Sequence, residues 1–101
     1  MVIVISACIL LAAGTVERKG SVSKELSEIS GWVFVNDSTL IAHNDSGNEP
    51  ILYVLNIDGT VRHKATLSGT SNNDFEDITT DNKGNVYLGD FGNNENKRQD
   101  L

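Results

Sequence analysis

Cysteine, proline and tryptophan each occur only once in the 101 residues. A lone cysteine excludes an internal disulfide framework and a cysteine-rich zinc site. Basic residues are scarce: eight Lys and Arg stand against fourteen Asp and Glu, for a net charge of −6. That balance excludes the basic face of a general nucleic-acid binder. With 39% apolar and 22% charged residues, the composition is globular rather than that of a disordered acidic tail. No apolar run reaches the ~20 residues that a membrane-spanning helix needs. Nothing keeps a helical period over ten residues. No glycine pattern follows a strand and opens a helix, so no nucleotide loop is supported. The length allows one small domain or a piece of a larger one.

Val2 to Ala13 is an apolar run of twelve residues without a charge. It fits the apolar segment of a secretory signal, with Ala12, Ala13 and Gly14 as small residues at a cleavage point, although no Lys or Arg precedes it. Ile5-Ser6-Ala7-Cys8 is also similar to a lipobox, which would make Cys8 a lipid anchor. Against this, apolar residues continue after Cys8. Either route makes residues 1–20 a signal and the chain extracytoplasmic: secreted, periplasmic or lipid-anchored, with no membrane span; a buried strand or helix is the alternative reading of the run. Residues 21–30 read as a polar lead-in with Leu26 and Ile29 as its large apolar anchors.

From Gly31 onward, short apolar runs alternate with turn residues. The pattern predicts strands over 32–35, 39–43, 51–57, 60–67, 75–79 and 85–89. Asn36-Asp37-Ser38 and Asp81 to Gly84 read as turns, and Asp58-Gly59 as a two-residue hairpin. Trp32 and Phe34 fall on one side of their strand, where core packing is expected. His63, among Val61 and Ala65, is expected to be packed or at an edge.

The first four strands form an antiparallel meander over 32–67, after which the pattern restarts. Asp45-Ser46-Gly47-Asn48 is echoed by Asp90-Phe91-Gly92-Asn93 at an offset of 45 residues, and Ile29 by Ile78 at 49. Four short strands recurring at such a period are the signature of a β-propeller blade. The expectation is all-β: a truncated propeller holding blade one over 32–67 and half of blade two over 75–101. A free-standing sheet of five or six strands is the alternative.

Four segments carry a family likeness in order: Glu28-Ile29-Ser30-Gly31, Asn44-Asp45-Ser46-Gly47, Asp74-Phe75-Glu76-Asp77-Ile78 and Gly89-Asp90-Phe91-Gly92-Asn93-Asn94. The series resembles the opening of the secreted bacterial propellers grouped around the SdiA-regulated and phytase-esterase-like families. Asn93 stands where that pattern carries Asp. The resemblance implies a propeller, with six blades expected, more firmly than any activity.

In an up-and-down meander, alternate connections share one end. The long loops 44–50, 68–74 and 90 onward therefore gather opposite the short turns. Function usually sits on such loops. They carry Asp45, Asp74, Glu76, Asp77, Asp90 and Asn93 as candidate metal ligands, beside Asn44, Asn48, Asn72, Asn73 and Asn94. Carboxylate and amide oxygens suit a hard cation, Ca²⁺ above all. Asx turns are the competing use of the same residues.

Catalytic patterns are thin. Glu76 and Asp77 are adjacent on a strand and face opposite ways. His43, Asp45 and Ser46 lie too close in sequence for triad geometry. Three readings follow: a binding module whose acidic loop face holds a ligand or cation, a Ca²⁺-dependent ester or phosphate-ester hydrolase, and a truncated product without activity of its own.

Overall fold

A computed structural model describes residues 15–101. The signal run, the lipobox and Cys8 lie outside the described residues. A single 3-10 turn at Lys24–Leu26 precedes six strands: β1 Ile29–Asn36, β2 Thr39–Asn44, β3 Ile51–Asn56, β4 Val61–Thr66, β5 Phe75–Thr80 and β6 Val86–Asp90. β1 to β4 form one antiparallel sheet in meander order, and β5 and β6 form a second. The chain is all-β, and each expected strand is present. Among the described residues no helix is long and apolar enough to cross a membrane.

The short turns are built by side chains. The Asn36 carboxamide oxygen accepts from the Ser38 N–H at 2.9 Å, closing the β1–β2 turn. The β3–β4 connection is not the expected two-residue hairpin. The Gly59 N–H donates to the Asn56 carbonyl and the Asn56 N–H to the Thr60 carbonyl, both at 2.9 Å. The loop is thus Ile57 to Gly59, a turn followed by a left-handed residue. That residue is Gly59, at φ 89°, where a side chain would clash.

Asp81 organises the β5–β6 turn. Its carboxylate accepts from the Lys83 and Asn85 N–H groups at 2.8 and 3.0 Å and from the Tyr87 hydroxyl at 2.9 Å. Hydrogen bonds from the Asn85 side chain and backbone lead in holding its pKa down, at about 2. A depressed folded pKa means that the carboxylate stabilises the fold above the unfolded value, and that this contribution is lost as pH falls toward 2. Asp81→Ala is therefore expected to lower the melting temperature at neutral pH and to leave it nearly unchanged near pH 2. Thermal melts of both proteins across that range check it.

Residues directly opposite in an antiparallel sheet share a face. One face of the first sheet carries Trp32, Phe34, Leu40, Ala42, Tyr53 and Leu55. Leu26 from the lead-in joins Ala42, Tyr53 and Leu55 in the core on this side. Cover stops at β2 and β3. Trp32 is 56% and Phe34 45% exposed, their rings in an edge contact at 5.5 Å. The expectation of core packing for this pair is therefore wrong: alternation fixes the face of a residue, not what lies over it.

The other face carries Gly31, Val33, Ile41 and His43. The second sheet packs here, chiefly by β5 against β1 with a minor contact to β2. The two sheets are thus closest at their first strands. β4 is the outer edge, with Arg62, His63 and Lys64 exposed, as suits an unpaired strand.

The two hairpins also agree in register. Ile29 pairs with Asn44 and Gly31 with His43, leaving Ser30 as a bulge. Phe75 pairs with Asp90 and Asp77 with Gly89, leaving Glu76 as a bulge. From these pairs through Phe34–Leu40 and Thr80–Val86, every paired position of one hairpin maps onto the other at an offset of 46 residues. That value lies between the two offsets read from the sequence.

Candidate functional site

Three loops meet beside β5, and Asn72 joins two of them. Its amide nitrogen donates to the carbonyls of Asn44 and Asp45 at 3.1 and 2.8 Å, while its oxygen accepts from the Phe75 N–H at 3.0 Å. The Asp45 N–H donates to the Glu28 carbonyl at 2.8 Å, and the Gly92 N–H to the Asp74 carbonyl at 3.1 Å. The loop after β2, the loop before β5 and the segment after β6 are thereby held at one end of the molecule.

Of the six expected ligands, this arrangement gathers Asp45, Asp74 and Glu76. A carboxylate oxygen from each lies within 4.8 Å of the others. The bulge at Glu76 separates it from Asp77, whose carboxylate is exposed and accepts from the Ile78 N–H at 2.8 Å. Asp90 is committed elsewhere. Its Oδ1 accepts from the Asp74 N–H at 3.0 Å and is ion-paired with Arg98 at 2.6 Å. Arg98 also makes a two-pronged pair with Asp100, and Asp100 and then Asp90 raise the guanidinium pKa further. Asn93 Oδ1 accepts from the Lys97 and Arg98 N–H groups at 2.9 and 3.0 Å, which ties down the loop that follows it.

Asp74 is the deepest carboxylate of the three. It is 9% exposed, and its Oδ1 is buried without a hydrogen-bond partner among the described residues. A Cβ at Gly92 would overlap this carboxylate, so glycine is what admits it. A polar cleft of about 330 Å³ opens beside it, lined by Ser46, Asn73, Gly92, Asn93 and Arg98 among others. Glu76 is half-buried. Burial, then the negative charges of Asp74 and Asp45, then a hydrogen bond to Asp74 raise its pKa above the ordinary value, with His43 opposing. Leaving water and facing like charges both disfavour the charged form.

His43 forms the floor between the sheets. It is fully buried, its ring edge-on to Phe75 at 5.7 Å between centroids. Nδ1 donates to the Asn44 carbonyl at 3.1 Å, and Nε2 has no partner among the described residues. The ring lies where a Cβ of Gly31 would stand. Gly31, Gly92, Asn72 and Arg98 thus shape the site, and of these only Arg98 carried no sequence signal: Asn72 and the two glycines lay within segments already of interest.

No family model, no curated protein and no solved structure matches this chain.

Proposed function

We propose that this chain is a propeller-type β-module whose long-loop end binds a divalent cation, Ca²⁺ in the first instance, between Asp45, Asp74 and Glu76. The carrying observation is the Asp74 carboxylate: nine-tenths buried, with one oxygen unpartnered, beside two more carboxylates. An unpaired buried charge is costly, and three carboxylates at this spacing repel one another. A hard cation with oxygen ligands removes both penalties. Propeller geometry is supported by the shared 46-residue register and by sheets that approach closest at their first strands. These features favour reading the two hairpins as successive blades. Binding is favoured over hydrolysis, because His43 is fully buried with Nδ1 engaged, which leaves no histidine at the cluster to exchange protons with a substrate. If the chain is exported, the site meets the high Ca²⁺ levels at which such sites fill.

Calorimetric titration with Ca²⁺ and Mg²⁺ tests the reading, together with melts of the wild type, Asp74→Ala and Asp90→Ala. At a hundredfold excess over Kd, Ca²⁺ should stabilise the wild type by about 2.7 kcal/mol. Asp74→Ala should lose the effect. Asp90→Ala should keep it in weakened form, because that carboxylate pairs with Arg98 and anchors the Asp74 N–H without being a ligand itself. The absence of both heat and melting shift in the wild type would sink the proposal.

The stabilisation should also depend on pH with a definite sign. The raised Glu76 pKa means that the ion-free fold binds a proton more readily than the unfolded chain does. Ion-free stability therefore falls as pH rises from the ordinary Glu value through the raised one. The cation requires the ionised form, so the melting shift it produces should grow across the same interval. A shift independent of pH there would remove Glu76 from the ligand set.

A further inference from the structure

The outer faces of the two sheets carry a second kind of information. Within the chain, the His43 face of the first sheet is covered by the face of the second that carries Phe75 and Ile78. At the 46-residue offset, Phe75 corresponds to Ile29 and Ile78 to Trp32. The covering face is therefore the counterpart of the first sheet's own Trp32 face. One stacking step is already present: a His43-type face receives a Trp32-type face.

The free faces are one of each type. The Trp32 face leaves Ile29, Trp32 and Phe34 exposed. On the far side of the second sheet, Tyr87 corresponds to Ile41 and Gly89 to His43. Gly89 has no side chain, and the Phe91 ring folds over it, where a Cβ would stand. Phe91 thus supplies the ring that His43 supplies in the first sheet. Tyr87 and Phe91 are exposed and border a hollow of about 250 Å³. The intrachain stack supplies the template: Ile29 of an incoming face would meet Phe91 as Phe75 meets His43.

We infer that these two faces bind each other between copies of this chain, head to tail, the Trp32–Phe34 face of one on the Tyr87–Phe91 face of the next. Such a contact is heterologous. It uses two different patches, so it propagates into a ring or a longer assembly instead of stopping at a symmetric pair. Exposed aromatic patches of this kind mark interaction surfaces. The interface requires no cation, so its failure and the failure of the cation reading are separable.

Light scattering on size-exclusion fractions tests it, with Trp32→Lys and Phe91→Lys as variants. Wild type should run larger than a dimer at high micromolar concentration. Each variant alone has one spoiled face and should be monomeric or strongly weakened. An equimolar mixture should double the mass to a dimer and stop, since the remaining good faces form one contact. Circular dichroism verifies that the strand signal is retained, and the pair Phe34→Lys and Tyr87→Lys repeats the test should either first variant lose it. A monomeric wild type overturns the inference. So does a mixture of folded variants that stays monomeric, or assembly abolished by Trp32→Lys but untouched by Phe91→Lys, which would indicate a symmetric pair.

Discussion

Gly92→Ala is expected to abolish Ca²⁺-induced stabilisation while leaving most of the ion-free fold intact. A Cβ at residue 92 would occupy the volume of the Asp74 carboxylate, with overlap at all three of its terminal atoms. The obstacle is the compact end of a short side chain, whose backbone is tied by the Gly92 N–H to Asp74 carbonyl bond. The carboxylate must therefore rotate away from Asp45 and Glu76. The ion-free protein loses little, because Asp74 Oδ1 has no hydrogen bond to give up. Titration calorimetry with Ca²⁺ on Gly92→Ala is the measurement. Wild-type affinity in Gly92→Ala would show that Asp74 is no ligand.

Gly31→Ala should produce the larger loss of stability. Here the added methyl would strike the His43 imidazole, which is sealed between the sheets against Phe75. Overpacking of an interior site typically costs about 1–3 kcal/mol. On a domain of this size each kcal/mol lowers the melting temperature by roughly 4–8 °C. The double variant Gly31→Ala/His43→Ala should recover part of that loss, because the clash needs both groups. Non-additivity between contacting residues is the expected signature. Melting curves of the two single variants and the double variant report it. Strict additivity would mean that the ring moves aside at no cost.

The strands themselves were legible because their evidence is local. Alternation along Val61 to Leu67 and turn residues such as Asp81 to Gly84 place each strand within a few residues. The extension of β1 back to Ile29 was missed, since Ser30-Gly31 reads as a break in sequence and is a bulge in the sheet. Gathering the acidic loops at one end also followed from meander topology alone. Which carboxylates meet did not. Asp90 stands in the likeness as prominently as Asp45, and its removal from the cluster depends on Arg98 folding back from eight residues further on. Ion pairs of that kind follow from a loop's path, which composition does not encode. The exposure of Trp32 and Phe34 was illegible for a related reason: a strand pattern names a face but not its neighbour.

The two amide bonds from Asn72 also bear on kinetics. They join segments 27 and 28 residues apart, one before β3 and one before β5. Contacts of that separation form only after the intervening β3–β4 hairpin has brought the loops within reach, because closing a long loop is entropically costly. The carboxylate triad is thus expected to assemble on the native side of the folding barrier. A cation held there would act on a structure that the transition state has not yet built. It would therefore slow the escape from the folded state and leave the rate of reaching it nearly unchanged. A cation bound at the loop end would then act as a kinetic lock, closed last on folding and opened first on unfolding.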